Sequence, residues 1–319
     1  MTDLPHSPEQ PVVAVETSRW KTFLKSDIVW SYRHSPVTIV ASIVALLLIL
    51  MAVFAPLLAP YNPFNPATLN LMDGFTPPNS TSFSGKYFTL GTDSQGRDML
   101  STIMYGSRVS LFVGFMATLF AMVMGVGLGL VSGYVGGLVD AIIMRVADVQ
   151  LSFPAILIAL LIFGVARGII PPNQQEGAAV WVLIVAIGLA NWAQFARTVR
   201  GATMVERQKD YVSAARLLGV APFIILLRHV LPNVLGPVLV IGTISLALAI
   251  IEEATLSYLG VGVPPTQPSL GTLIRIGQQF MFSGEWWIIL FPAITLILLA
   301  LSVNLLGDWL RDALNPKLR

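Results

Sequence analysis

Chemistry needs reactive side chains at set spacings, and this chain is sparing with them. It has three histidines, His6, His34 and His229, and no cysteine. The patterns GxxxxGK[ST] for nucleotide phosphates, HExxH for zinc and GxSxG for a nucleophilic serine are all missing. His229, alone on the amphipathic segment PFIILLRHVLPN, reads as a hydrogen-bonded structural residue rather than a catalyst. What stands out instead is mechanical. The stretch RTVRGATMVERQKDYVSAARLLGVAPFIILLRHVLPNVLG, residues 197–236, carries six of the chain's 19 basic residues inside otherwise apolar surroundings. Asp210 to Leu218 reads as a short helix made slim by Ala214 and Ala215, and Gly219 supplies a stop that accepts a positive φ. A second amphipathic helix is expected from Pro222 to Leu231-Pro232. A slim helix between two turns suits a groove on a soluble partner. A solvated basic loop is the other reading of the same residues, and their physics leaves the two even.

The elements that must hold this stretch are membrane spans. With 55% hydrophobic residues, 11% charged residues and a mean hydropathy of +0.75, 319 residues cannot be wrapped in a solvated surface. A net charge of +2, with the basic residues in loops, excludes nucleic acid as a natural partner. The first apolar run starts only after 36 residues and is too long for a cleaved signal peptide, so it reads as a retained span. Six spans are expected, over 37–60, 109–131, 140–164, 178–196, 234–251 and 286–306. Residues 1–36 form a tail with an interfacial stretch around Trp20 to Tyr32, 61–108 a long loop, 109–308 the core containing the 197–232 loop, and 309–319 a closing tail. In the long loop Thr92 and Gln95 have capping-box spacing, while Asp93 and Asp98 suit a helix N-terminus.

Ala117, Ala121, Gly125, Gly129, Gly133 and Gly137 recur every fourth residue, so one face of the second span offers no side chain beyond a methyl. This is a seam for a second helix backbone, with Ala121, Gly125, Gly129 and Gly133 at its centre. Arg145 and Asp148, three apart, are placed to pair at the entry of the third span; an ion pathway is the less favoured alternative. Glu252 and Glu253 fall at a span end, and the Pro- and Gly-rich 252–285 segment is read as interrupting any helix. Asn191, Gln194, Thr243, Ser245 and Asn304 either line a pathway or satisfy neighbouring backbones.

Orientation follows from the basic residues. With the N-terminus cytoplasmic, that side receives four in the tail, six in the 197–232 loop and three at the C-terminus, against five on the opposite side. Both termini are therefore expected in the cytoplasm.

Ala214-Ala215, then Gly219, with Leu231-Pro232 at matching distance, resemble the EAA motif of bacterial ATP-binding-cassette importer permeases. YVSAARLLGV and RHVLPN resemble the dipeptide/oligopeptide/nickel branch of that family, as do LGTDSQGRDMLSTIMYGSRVSL (90–111), GGLVDAIIMRVADVQLSFP (136–154), EATLSYLGVGVPPTQPSLG (253–271) and NLLGDWLRDALNPKLR (304–319). Ser213, His229 and Asn315 depart from the usual residues. The resemblance implies an all-α integral membrane protein of the bacterial inner membrane, with six transmembrane helices and a cytoplasmic coupling helix between spans four and five. It implies no enzyme activity and no bound cofactor in this chain, ATP and Mg being held by two partner ATPase subunits. A homologous second permease and an extracytoplasmic binding protein are the other implied partners, with lipid around the spans. Asp210, Tyr211, Ala214, Ala215, Leu218, Gly219, Leu231 and Pro232 become the implied ATPase-coupling residues. The implied cargo is peptide, with nickel complexes or glutathione as alternatives. An ion-driven secondary transporter would instead place ionisable groups at mid-span, and an intramembrane hydrolase would need a nucleophile and base.

Overall fold

The computed structural model describes residues 27–65 and 69–314, and it is helical almost throughout. Ten helices carry the architecture: α1 (Asp27–Arg33), α2 (Pro36–Val53), α3 (Met99–Val135), α4 (Gly137–Leu151), α5 (Ala155–Ile169), α6 (Gln175–Glu206), α7 (Asp210–Leu217), α8 (Leu231–Tyr258), α9 (Leu270–Gln278) and α10 (Trp287–Leu314). Most of the interfacial stretch expected from Trp20 lies outside the described residues, as do Asn315, Lys317 and Arg319. By length and composition five helices can cross a membrane, or six when α4 and α5 count as one span.

The differences from expectation have local causes. Residues 140–164 are not one helix but two, α4 and α5, bent by 98°. The sequence Leu151-Ser152-Phe153-Pro154 explains the break: Pro154 disfavours helical backbone at Phe153, and its own ψ of 131° is extended. Asp148 does not pair with Arg145; it accepts from Arg197 of α6 at 2.5 Å. α6 also runs ten residues past Ala196, so Arg197 to Glu206, expected in a loop, are helical. Pro222 to Pro232 is not a separate helix either. One turn at Pro222–Ile224 and a π-helical turn at Ile225–Val230 lead without interruption into α8. Pro232 has no N–H for the carbonyl four residues back and its ring crowds that group, which a widened turn relieves. At its other end α8 continues to Tyr258, so Glu252 and Glu253 lie within it.

α3 begins ten residues before the expected span. Its cap is Asp98, whose Oδ2 accepts from Ser101 N–H at 2.9 Å and from Ser101 Oγ at 2.5 Å. Thr92 and Gln95 form no capping box: Thr92 Oγ1 donates to the Asp73 carbonyl and accepts from Thr76 N–H. Asp93 folds a turn of its own, accepting from Gln95 and Arg97 amides at 2.9 Å while pairing with Arg97 Nε at 2.6 Å. Replacing the buried Asp98 cap with alanine leaves the first turn of α3 short of an acceptor, at a cost of about 1–2 kcal/mol. The expected result for Asp98→Ala is a thermal midpoint several degrees lower in detergent.

The centre of the bundle is the pairing of α3 with α6. A Cβ at Gly125 would lie 2.5 Å from the Trp192 carbonyl, one at Gly129 2.6 Å from that of Ala196, and one at Gly133 2.8 Å from that of Arg200. Ala121 is buried on the same face, against the cluster that holds Phe195 and Val199. Gly188 of α6 answers them, its absent Cβ lying 2.4 Å from the Phe120 ring. Gly137 does not extend the seam: α3 stops at Val135, and Gly136 and Gly137 take φ of 72° and 58° to turn into α4.

Candidate coupling surface

At about 1.5 Å per residue the 32 residues of α6 span roughly 48 Å, well beyond the ~30 Å of a hydrocarbon core. The excess forms a rigid post, and α7 folds back against it. Val212 and Ala215 point inward, packing with Ile225, Val230 and Val234. Asp210, Ser213 and Ala214 face outward, as do Leu217 and Leu218 at 89% and 82% exposure. Beyond them Phe223, Ile224 and Leu227 continue the open apolar surface. Leu231 and Pro232 lie behind α7, in the first turn of α8.

The helix ends as its sequence predicts. Gly219 takes φ 74°, its N–H bonds the Arg216 carbonyl at 3.0 Å, and Val220 N–H bonds that of Ala215 at 3.1 Å. This is the paired hydrogen bonding of a Schellman stop. At the front, Glu206 of α6 accepts from Lys209 Nζ and from Tyr211 Oη, both at 2.5 Å. Asn233 Nδ2 donates to Tyr211 Oη at 3.1 Å and to the His229 carbonyl at 2.7 Å. Burial, then the Glu206 carboxylate, raises the Tyr211 phenol above its ordinary pKa, so it remains a donor at neutral pH. Glu206 likewise raises the Lys209 ammonium. His229 thus serves through its carbonyl, and its Nδ1 is buried with no partner among the described residues.

A second set of bonds fastens this post to α3 and α4. Arg200 grips Asp140 with Nε at 2.5 Å and Nη2 at 2.6 Å, and Ser132 Oγ donates to the same carboxylate at 2.5 Å. Arg207 Nη1 donates to the Gly133 and Tyr134 carbonyls at the end of α3. Arg216 of α7 lies 5.0 Å above the Tyr134 ring. The candidates Asp210, Tyr211, Ala214, Ala215, Leu218 and Gly219 are therefore together on one small element and its stop, and three longer helices, α6, α8 and α3, hold it. Sequence spacing missed the clamps. Asp140 and Arg200 are 60 residues apart, and only the α3–α6 seam brings them together.

At the opposite end the 91–98 turn closes over the bundle. Trp287 Nε1 donates to the Thr92 carbonyl at 3.0 Å, and Gly91, at φ 77°, has no room for a side chain beside that indole. Asp73 accepts from the Ser84 amide and hydroxyl at 3.0 and 2.5 Å. Burial opposes ionisation of Asp73, but the Ser84 and Ser82 hydrogen bonds and Lys86 hold its pKa below the usual value.

Long apolar helices, a close-packed glycine seam and a braced helix standing clear of the spans define a multi-pass membrane protein. Comparison with known proteins makes the class specific. Residues 125–319 match the family model for the binding-protein-dependent transport system inner membrane component, and residues 20–78 match that for the N-terminal TM domain of oligopeptide transport permease C. The dipeptide transport system permease protein DppC of Haemophilus influenzae is 36% identical over 279 residues, covering 87% of this chain and 91% of that one. The oligopeptide transport system permease protein OppC of Bacillus subtilis is 33% identical over the full length of both chains. The glutathione transport system permease protein GsiD of Pectobacterium atrosepticum is 35% identical, covering 94% and 90%. In fold, the chain is similar to an inward-facing MetNI methionine ABC transporter structure, with a TM-score of 0.53 and 20% identity over 68% of this chain and 98% of that one. The chain belongs to the family of binding-protein-dependent transport system inner membrane components. It is a permease subunit and not an enzyme; ATP hydrolysis resides on separate subunits, and family membership implies a partner permease beside it.

Proposed function

We propose that this chain and a homologous second permease form the membrane path for di- or oligopeptides delivered by an extracytoplasmic binding protein. α7 sits in a groove of one of two cytoplasmic ATPase subunits, which hold ATP and Mg. The observation that carries the coupling role is α7 itself. It exposes two large leucines, Leu217 and Leu218, yet its other face is bolted through Glu206, Tyr211, Asn233 and Arg216 to α6, α8 and α3. A soluble chain would hide such leucines, whereas one that docks a partner presents them. When nucleotide closes the ATPases, force on α7 reaches the spans through the α6 post. Coupling requires ATP and loaded binding protein each to favour one state of the spans over the other.

Peptide is supported by the named dipeptide and oligopeptide relatives at 33–36% identity over most of both chains. Glutathione, supported by the GsiD relative, is the second reading. Deleting the chain and measuring uptake of labelled tri-alanine and of glutathione separates them: peptide uptake is expected to disappear and to return with the gene. Undiminished peptide uptake sinks the reading.

The distribution of basic residues supports a cytoplasmic coupling end and an external 61–98 loop. The chain contains no cysteine, so single-cysteine variants label cleanly. Leu218→Cys is expected to react with an impermeant maleimide only in inverted vesicles, and Phe83→Cys, at an equally exposed position, only in intact cells with a permeable outer layer. The reverse pattern inverts the topology.

A further inference from the structure

Glu252 lies within α8, six residues from its end at Tyr258, and is only half-buried. Asn191 of α6 fixes it: Nδ2 donates to Glu252 Oε2 at 2.7 Å and to the Ile187 carbonyl at 3.0 Å. Both hydrogen bonds are made by its amide nitrogen, and Asn191 Oδ1 accepts none from the described residues. Glu252 Oε1 receives no hydrogen bond from the described residues and is not a buried unsatisfied atom. No lysine, arginine or histidine among the described residues pairs with it. Gln194, one turn on from Asn191, is exposed on the same side of α6.

A carboxyl group on an open face of a spanning helix costs roughly 2.5–3.5 kcal/mol in hydrocarbon, so this face meets water or a partner, not lipid chains. On Glu252 and Asn191 themselves the atoms left without a partner among the described residues are acceptors, Glu252 Oε1 and Asn191 Oδ1. The group that complements acceptors alone, with positive charge and several N–H donors on one atom, is a primary ammonium. We infer that Glu252 and Asn191 form a way-station in the membrane for the ammonium group of the peptide in transit. The inference rests on the peptide reading. Asn191 already satisfies half of the carboxylate, which tempers the hold and favours release, as a pathway site needs.

The test uses the complete transporter, with its second permease, ATPases and binding protein, in proteoliposomes. During ATP-driven import of isotope-labelled tri-alanine, a water-soluble carbodiimide joins a carboxylate to an adjacent amine as an amide. Mass spectrometry is expected to find tri-alanine on Glu252 of the unaltered protein, and none when the N-acetylated peptide is used. Glu252→Gln, which keeps shape and can still accept from Asn191, is expected to slow tri-alanine import roughly tenfold while loaded binding protein still stimulates the ATPase. Peptide import with Glu252 unlabelled, or with Glu252→Gln as fast as the unaltered transporter, overturns the site alone. An assembly that imports no peptide overturns the peptide reading and the site with it.

Discussion

Ala215→Arg is expected to abolish import, by at least about a hundredfold, while leaving the subunit in the membrane at its normal level. Ala215 is the point where α7 rests on the bundle: it is 7% exposed and packs with Val212, Ile225, Val230 and Val234. An arginine there must either bury an unpaired charge, at several kcal/mol, or lift α7 off its seat. Both α7 and the four-residue loop 218–221 around Gly219 lie outside the long spans, so lifting them leaves the α3–α6 core in place. What is lost is the rigid path from α7 to the α6 post. Loaded binding protein should then no longer raise ATPase activity, because the signal from the spans has no stiff element to travel through. Leu218→Glu separates docking from transmission. Leu218 is 82% exposed and supports nothing beneath it, so the permease keeps its stability but binds its ATPase more weakly. Normal import and normal stimulation in Ala215→Arg would remove α7 from the coupling role.

How much of this was visible beforehand depended on the range of the interaction. Short-range signals were legible. Ala214-Ala215 followed by Gly219 marks a slim helix with a left-handed stop, and Gly219 has φ 74° with the hydrogen bonds of that stop. Asp98 as a helix-terminal acid and the small residues at every fourth position are also local patterns. Residues whose partner is remote in sequence were read wrongly or not at all. Asp148 has Arg145 three residues away, yet its partner is Arg197, because the bend at Pro154 turns α4 along α6. The Pro222–Pro232 segment has two prolines that mark helix ends in isolation. A π-helical turn absorbs the second, a solution that no local propensity announces. Glu252 and Glu253 looked like span-end residues because the following Pro-Gly run truncates the apolar window, whereas the helix itself continues to Tyr258. Family motifs singled out α7; only the geometry revealed the clamps from Asp140, Arg200 and Arg207 that stiffen the α6 post beneath it.

Gly129→Leu is expected to be strongly destabilising. The α3 and α6 backbones meet so closely at Gly129 that a Cβ would lie 2.6 Å from the Ala196 carbonyl and 2.8 Å from Val199 Cβ. Real Cβ atoms do not approach a carbonyl oxygen so closely, and backbone on a long helix cannot move aside as a flexible side chain can. A leucine therefore forces the helices apart along the seam. Overpacking of this kind typically costs 1–3 kcal/mol, roughly, where side chains can adjust; here backbone must move, so the upper end or beyond is expected. Separation also pulls Arg207 from the Gly133 and Tyr134 carbonyls, which bridge the same two helices, and strains the Arg200–Asp140 clamp that ties α6 to α4 just beyond the end of α3. Two consequences should appear together: a large drop in the detergent-solubilised thermal midpoint, and loss of binding-protein-stimulated ATPase in whatever folds. Gly127→Leu is the matched control. It adds the same side chain to the same helix two residues away, where a Cβ meets nothing within 4 Å, and should leave the isolated subunit's midpoint nearly unchanged. Equal midpoints for the two variants would mean that the α3–α6 contact is looser than its carbonyl spacing requires, and the α6 post would lose the anchor on which force transmission from α7 depends.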